Sequence, residues 1–393
     1  MTRLLEILIS LVIVAVLFVV VGVLLPANRT LVEQVETNRR QTIVFDTINS
    51  FRRFHEWHPM ALYDPRMGIE RSGPEEGEGA TMSYSSDVRN VGTGKWTIVE
   101  SVPRREVKIA IEDDRQGTNK QTTFALRPTG RGGRNIQITQ TYSVDYGWNL
   151  LGRYAGLYVD RTAGDDIKRG AANLANLLAS MPNFDYRSLD VQVDQIAPKN
   201  ILYITTTADR NITAVENAMD VALKDLRAAI SANKLVEAGR PRLITTSFGA
   251  EKYEFDVAIP VALPRPDTEL DADAPANGGD EPAANGEAEA VADSDGEAAD
   301  EAEADETLLA APEPLEGLNL PDNVHSGQSY GGRVVVAPYR GHPAALPLIR
   351  DQLRSYAAAH GEQLHERAFE EYLTEIDETA AEDALFRVYW PIR

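Results

Sequence analysis

The spacing of hydrophobic positions changes several times along the chain, and each change marks an element. Ile7 to Leu25 is an uncharged run of 19 residues rich in Leu, Val and Ile. At about 1.5 Å per residue it nearly matches the roughly 30 Å apolar core of a bilayer, which predicts one transmembrane helix. A cleaved secretory signal has a shorter apolar stretch and a small-x-small cleavage site. Val23-Leu24-Leu25-Pro26 is bulky instead, so a retained anchor is expected. Arg39 to Pro59 carries Val44, Phe45, Ile48, Phe51 and Phe54 at helical spacings and predicts two short helices. From Gly68 to Val144 the chain turns to short β-type runs such as KWTIVES, EVKIAIED and NIQITQTYSV, separated by glycines, which predict an antiparallel meander. Leu150 to Met181 returns to helical spacing, with Leu157, Ile167, Ala171, Leu174 and Leu178 on one stripe and Pro182 as the stop, so one long helix is expected.

The second half carries one pattern twice. Ile201 to Asp209, a helix from Thr213 to about Lys234, Arg242 to Gly249 and Tyr253 to Val261 read as a β-α-β-β unit. Arg333 to Gly341, a helix from Pro343 to about His360, Ala368 to Ile376 and Leu385 to Ile392 read as another. Ile201 and Arg333 are 132 positions apart, as are Asn211 and Pro343, and Pro260 and Pro391 are 131 apart, so the unit is duplicated. Thr213 and Glu216 have the spacing of a capping box, and Val215, Ala218, Ala222, Leu226 and Ile230 form an apolar stripe. Leu346, Ile349, Leu353 and Tyr356 repeat that stripe, with Gly361 as its stop.

Composition adds two constraints. The net charge of −21 argues against general affinity for nucleic acid or acidic lipid. It is concentrated: Arg265 to Glu316 holds 18 acids and one base, leaving 38 bases and 42 acids elsewhere. The segment Pro264 to Gly317 is rich in Ala, Glu, Asp, Gly and Pro and lacks aromatics, so it is expected to be a disordered acidic insert between the two repeats. With no cysteine, disulfides, thiolate catalysis and Cys-ligated metal are excluded. Positive charge flanking the apolar run, Arg3 before it and Arg29, Arg39 and Arg40 after it, leaves the side of the soluble body open.

Four segments in order, Val44 to Met60, Gly73 to Asp87, Val91 to Pro103 and Gly164 to Leu178, resemble the START-like (SRPBCC) helix-grip superfamily, which includes bacterial polyketide cyclase-like proteins. The resemblance covers residues 29 to 183. It implies a curved antiparallel sheet around a long final helix, enclosing an apolar cavity for a hydrophobic molecule. Residues 187 to 393 resemble the GyrI-like effector-binding domain, on Ser329 to His342, Phe369 to Leu373 and the terminal FRVYWPI. That likeness implies a ligand-sensing module, and its Glu-x-Tyr pattern maps onto Glu370 and Tyr372. The expected architecture is α+β: a transmembrane anchor over residues 1 to 28, the helix-grip domain, then the duplicated β-α-β-β domain, in a bacterial inner membrane.

The candidate chemistry is one of binding. His55 and His58 lie three apart without a third ligand and read as a helix-end surface pair; Asp113-Asp114 reads as a solvated turn, and Gly130 to Gly133 as a hairpin turn. No catalytic constellation, metal site or cofactor is indicated. Trp57, Tyr84, Trp96 and Tyr142 are candidates to line the helix-grip cavity. In the strand Ala368 to Leu373, Phe369 and Leu373 suit a helix-covered face, which would put Glu370 and Tyr372 on the opposite face with Tyr339 and either Tyr389 or Trp390. An acid among aromatic rings suits a lipophilic cation; the plainer reading of Glu370 is an exposed strand carboxylate. The expected function is a membrane-anchored sensor, carrier or scavenger of hydrophobic or cationic small molecules. The alternatives are a hydrolase or cyclase-type enzyme, for which the paired acid and tyrosine offer general acid–base groups, and a gyrase-inhibitor type interaction module. Oligomeric state stays open.

Overall fold

The computed structural model describes residues 2–249, 251–264, 310–374 and 381–393, and it is a mixed α+β structure with antiparallel sheets. Most of the acidic insert expected at 264–317 therefore lies outside the described residues. Its last part, 310–317, has no regular structure yet places Leu315 against a core. The chain divides into two compact units, residues 1–188 with 354–363, and residues 189–353 with 364–393.

The first unit begins with α1 (Thr2–Leu24), whose side chains are exposed along almost its whole length. There follow β1 (Asn28–Thr37), the short helices α2 (Gln41–Ile48), α3 (Phe54–Trp57) and α4 (Met60–Tyr63), and the strands β2 (Gly68–Ser72), β3 (Thr81–Ser85), β4 (Thr93–Val102), β5 (Glu106–Asp113), β6 (Thr118–Thr129) and β7 (Asn135–Asp145). They form one antiparallel sheet in the order β1-β7-β6-β5-β4-β3-β2, so the first strand pairs with the last, Asn28 opposite Asp145 through Thr37 opposite Ile136. The alternation expected of a half-buried sheet holds: Val107, Ile109 and Ile111 on β5 and Phe124 and Leu126 on β6 are buried, and they meet Leu174 and Leu178 of α6 (Asp165–Ser180).

The long final helix is not continuous. It opens as α5 (Leu150–Ala155), tightens to a 3₁₀ turn at Gly156–Tyr158, widens to a π turn at Asp160–Gly164 and resumes as α6. Gly152 and Gly156 lie under the Tyr146 ring, where an added Cβ would approach ring atoms to 2.9 and 2.8 Å. The close approach demands glycine, and glycine weakens a helix at the same point.

The second unit holds the strands of both repeats, the first repeat's helix and the first half of the second repeat's helix. The first is β9 (Asn200–Asp209), α7 (Ile212–Ala232), β11 (Arg242–Phe248) and β12 (Lys252–Ala262); the second is β14 (Gly332–Arg340), α8 (Leu346–His360), β15 (Phe369–Tyr372) and β16 (Leu385–Pro391). Three short strands were not foreseen: β8 (Gln192–Ile196), β10 (Val236–Glu237) and β13 (His325–Gln328). The sheet order is β13-β9-β12-β11-β15-β16-β14-β8, with β10 against β12. The repeats join where β11 meets β15, Arg242 opposite Glu371, Leu243 opposite Glu370 and Ile244 opposite Phe369. Met219, Leu223 and Leu226 of α7 pack with Phe255, Val257 and Ile259 of β12 and with Leu243. The N-cap of α7 is Asn211, whose side chain accepts from the Ala214 N–H, so the capping box expected at Thr213 is displaced by two residues.

Candidate ligand sites

In the first unit the register turns alternate residues of every strand inward, and the inward set changes character along the strands. At one end it is apolar, with Ile98, Val107, Ile109, Phe124, Leu126, Ile136 and Ile138. At the other it is polar: Lys120, Thr122, Gln140, Tyr142 and Tyr84, with Asp113. Trp57, Tyr84 and Trp96 are buried and Tyr142 packs against the same core, so all four expected aromatics face this interior. Trp96 meets Phe54 edge-on at 5.0 Å, and Trp57 meets Phe124 at 6.0 Å. Gly94, opposite Tyr84 on β4, leaves the space the Tyr84 hydroxyl occupies.

Two polar atoms in this interior lack a hydrogen-bond partner among the described residues, Trp57 Nε1 and Gln140 Oε1, while Trp96 and the Tyr84 hydroxyl serve each other. Gln140 uses its Nε2 to donate to Thr122 Oγ1 at 3.2 Å. Orphaned buried donors and acceptors are expensive. Burial, followed by the charge of Asp113, pushes the Tyr84 hydroxyl up to about 12, and burial raises Tyr142 as well. Asp113 and His58 both depart from the surface positions expected of them. Asp113 is not solvated; its side chain is buried in an ion pair with Lys120. His58 is no surface residue either, since it stacks on Phe54 at 4.4 Å and meets Trp96 at 5.0 Å, whereas His55 is exposed. Burial, then Arg115, holds the His58 imidazole down to about 3, so it is neutral.

In the second unit a pocket of about 420 Å³ opens between the sheet and the N-terminal ends of α7 and α8. Its apolar wall includes Val215, Leu243, Phe248, Leu346 and Tyr372, and its charged groups are Arg210, Arg350 and Glu370. The face assignment made from the sequence is reversed: Glu370 is opposite Leu243, which packs with α7, so Glu370 and Tyr372 lie on the helix-covered face. Phe369 is on the other face, stacked on Tyr389 at 4.6 Å and clustered with Val334, Val336 and Ile244. Both faces bury apolar residues, which is why apolarity alone misassigned them. Glu370 is also not exposed, with 1% of its surface accessible.

Neither carboxylate oxygen of Glu370 accepts a hydrogen bond among the described residues. Its one charge partner there is Arg350, with Nε 3.2 Å from Oε1. Burial raises the Glu370 carboxyl and Arg350 opposes that rise. Arg350 also donates from Nη1 to Thr245 Oγ1 and to the Tyr253 hydroxyl, and its guanidinium lies 5.4 Å from the Phe248 ring and 5.6 Å from that of Tyr253. The aromatic–carboxylate arrangement thus already contains a cation of the protein's own. Tyr339 and Trp390 share the face of Glu370 but do not line the pocket. Tyr339 stacks on Phe386 and donates to the His342 carbonyl, and Trp390 pairs with Val335 two strands away from β15. Sequence reasoning missed Arg350, Arg210, Phe248 and Tyr253. Arg350 follows Ile349 of the apolar stripe by one position, the sole hint that it borders the buried face. Among the described residues no cluster of His, Asp and Glu has the makings of a metal site.

Comparison with solved structures returns low-identity likenesses. The EcmrR C-terminal domain is 8% identical, covers 52% of this chain and 98% of its own, and superposes with a TM-score of 0.35. Norcoclaurine synthase from Thalictrum flavum, in complex with dopamine and hydroxybenzaldehyde, is 12% identical over 39% of this chain and 87% of its own, TM-score 0.30. A hydrolase from Listeria innocua is 10% identical over 53% of this chain and 100% of its own, TM-score 0.31. No curated protein matches. Residues 29–179 do match a family model, described as polyketide cyclase / dehydrase and lipid transport.

Proposed function

We propose that the protein is a membrane-anchored binding protein for hydrophobic small molecules, and that residues 187–393 form a GyrI-like domain whose pocket takes a lipophilic cation. One observation carries the reading: Glu370 is buried at the wall of a largely apolar pocket, and among the described residues neither of its carboxylate oxygens accepts a hydrogen bond. A buried carboxylate whose desolvation is offset only by the Arg350 ion pair favours further positive charge, and a cation with apolar substituents supplies it while covering the aromatic and aliphatic wall. The family description of residues 29–179 supports a second, lipid-like cavity in the first unit, and its interior, apolar at one end and polar at the other, suits an amphipathic molecule.

The test uses two probes of one shape and opposite charge, tetraphenylphosphonium and tetraphenylborate, with the full-length protein in detergent. The cation should bind, and Glu370→Gln should weaken it by about 5- to 150-fold, the equivalent of about 1–3 kcal/mol for one charge-assisted contact. Glu371→Gln should change little, because Glu371 points to the other face, where it pairs with Arg242 and accepts from the Tyr389 hydroxyl. Preference for the borate, or equal effects of both substitutions, would reject the cation site.

A further inference from the structure

The C-terminal end of α1 is fastened to the segment that precedes α6. Arg153 donates from Nη1 to the carbonyls of Gly22, Val23 and Leu25, at 3.4, 2.9 and 3.2 Å, and from Nε and Nη2 to the Gly147 carbonyl. Those carbonyls end the helix and have no partner within it, so the guanidinium acts as a cap and places positive charge at the negative end of the helix dipole. One turn higher, Tyr154 stacks on Phe18 at 4.4 Å and donates to its carbonyl at 2.8 Å. Gly22 is close against Leu150 and Tyr154. The segment therefore runs beside the last two turns of α1, a span of about 9 Å.

Its outward side is apolar. Trp148 in the turn ahead of the Asn149 cap, Leu151 and Ala155 on α5 and Tyr158 in the 3₁₀ turn are exposed, while Gly152, Arg153, Gly156 and Val159 are buried. Trp148 is 82% exposed, Leu151 69% and Tyr158 61%; Leu157 adjoins them. Such a run of large apolar side chains on one surface needs a cover. Trp and Tyr beside the end of an apolar spanning helix match the aromatic belts found at bilayer boundaries, where exposed apolar side chains insert about 5–10 Å into the headgroup and acyl boundary.

We propose that residues 148–158 lie in the lipid interface, with Trp148, Leu151, Ala155 and Tyr158 facing the acyl boundary, so that this domain rests on the bilayer as well as being tethered to it. The proposal depends on α1 being a membrane anchor, and the experiment separates the two. The chain has no cysteine, so single-cysteine variants of the full-length protein take a nitroxide at one place only. In vesicles of phosphatidylcholine and phosphatidylglycerol, Leu17→Cys reports the anchor, Leu151→Cys the apolar surface, and Arg131→Cys, exposed at the hairpin tip between β6 and β7, the aqueous control. The control sits at the far end of strands about 33 Å long. Collision of the label with oxygen relative to a water-soluble nickel chelate should be several-fold higher at 17 and at 151 than at 131. A label at 151 that behaves like the one at 131, while 17 stays in lipid, overturns the interface and leaves the anchor standing. A label at 151 shielded from both quenchers means a protein partner covers that surface and also overturns the interface. An aqueous label at 17 removes the anchor and the interface together.

Discussion

His58 is a titratable side chain, half-buried against Phe54 and Trp96, in surroundings that favour its neutral form. Its imidazole is held at about 3 in the fold, chiefly by burial, against 6.5 ordinarily. Between those values the unfolded chain binds a proton that the folded chain refuses, so stability falls as pH falls through the window from about 6.5 toward 3. The slope is at most about 1.4 kcal/mol per pH unit. Thermal unfolding of the wild type and His58→Gln across that range should show the dependence flattened in the variant. Arg350 makes the opposite demand on the other unit. If it occupies the place of a ligand cation, Arg350→Met should lower the melting temperature of the empty protein by leaving Glu370 unpaired, yet tighten tetraphenylphosphonium binding at pH 8. Loss of both stability and affinity would make Arg350 a wall of the pocket and not a competitor. Glu370 and Tyr372 were legible in the sequence as a pair. Arg350 was not, because its pairing with Glu370 is made in space between a helix and the next strand, and no local spacing records which cation a buried acid meets.

The helices and most strands could be read from period alone because each has one buried side: β5 and β6 alternate, and α7 carries its stripe on one face. What failed at this level were ends and faces. The α7 cap is Asn211 and not Thr213; Asn211→Ala should cost about 0.5–2 kcal/mol by removing the acceptor of the Ala214 N–H, and Thr213→Ala much less, as denaturant melts would show. β15 has Phe369 on one face and Glu370 on the other, both buried, so its polarity gives no parity. Only the pairing with β11 decides it. β8 and β13 escaped notice because they are short edge strands, fully or mostly exposed, with little apolar signal. The break between α5 and α6 was masked because Leu157 has the right spacing for the α6 stripe, although it is exposed in the fold and Gly152 and Gly156 were visible.

At the level of the whole molecule the two-part organisation and the apolar helix were readable, because composition and repeat length are properties of long stretches. α1 is long and apolar enough to cross a membrane. If it is retained as an anchor, the protein should stay in the membrane fraction through an alkaline carbonate wash, with its N-terminus ahead of Pro26; soluble protein beginning beyond that residue would mark the run as a cleaved signal. The junction of the repeats has a further consequence. Leu243 is opposite Val257 and Glu370 is opposite Val388, and Val257 and Val388 are 131 positions apart, the offset of Pro260 and Pro391. Leu243 and Glu370 are therefore the same position of the two copies, and they face each other across β11 and β15. They stand on the local two-fold axis. A homodimeric ancestor made of single β-α-β-β chains would have carried every axial residue twice, and an acid there would have met its own image directly across the ladder, where like charges repel. Only once the copies were joined in one polypeptide and free to diverge was a lone negative charge on that axis open to selection.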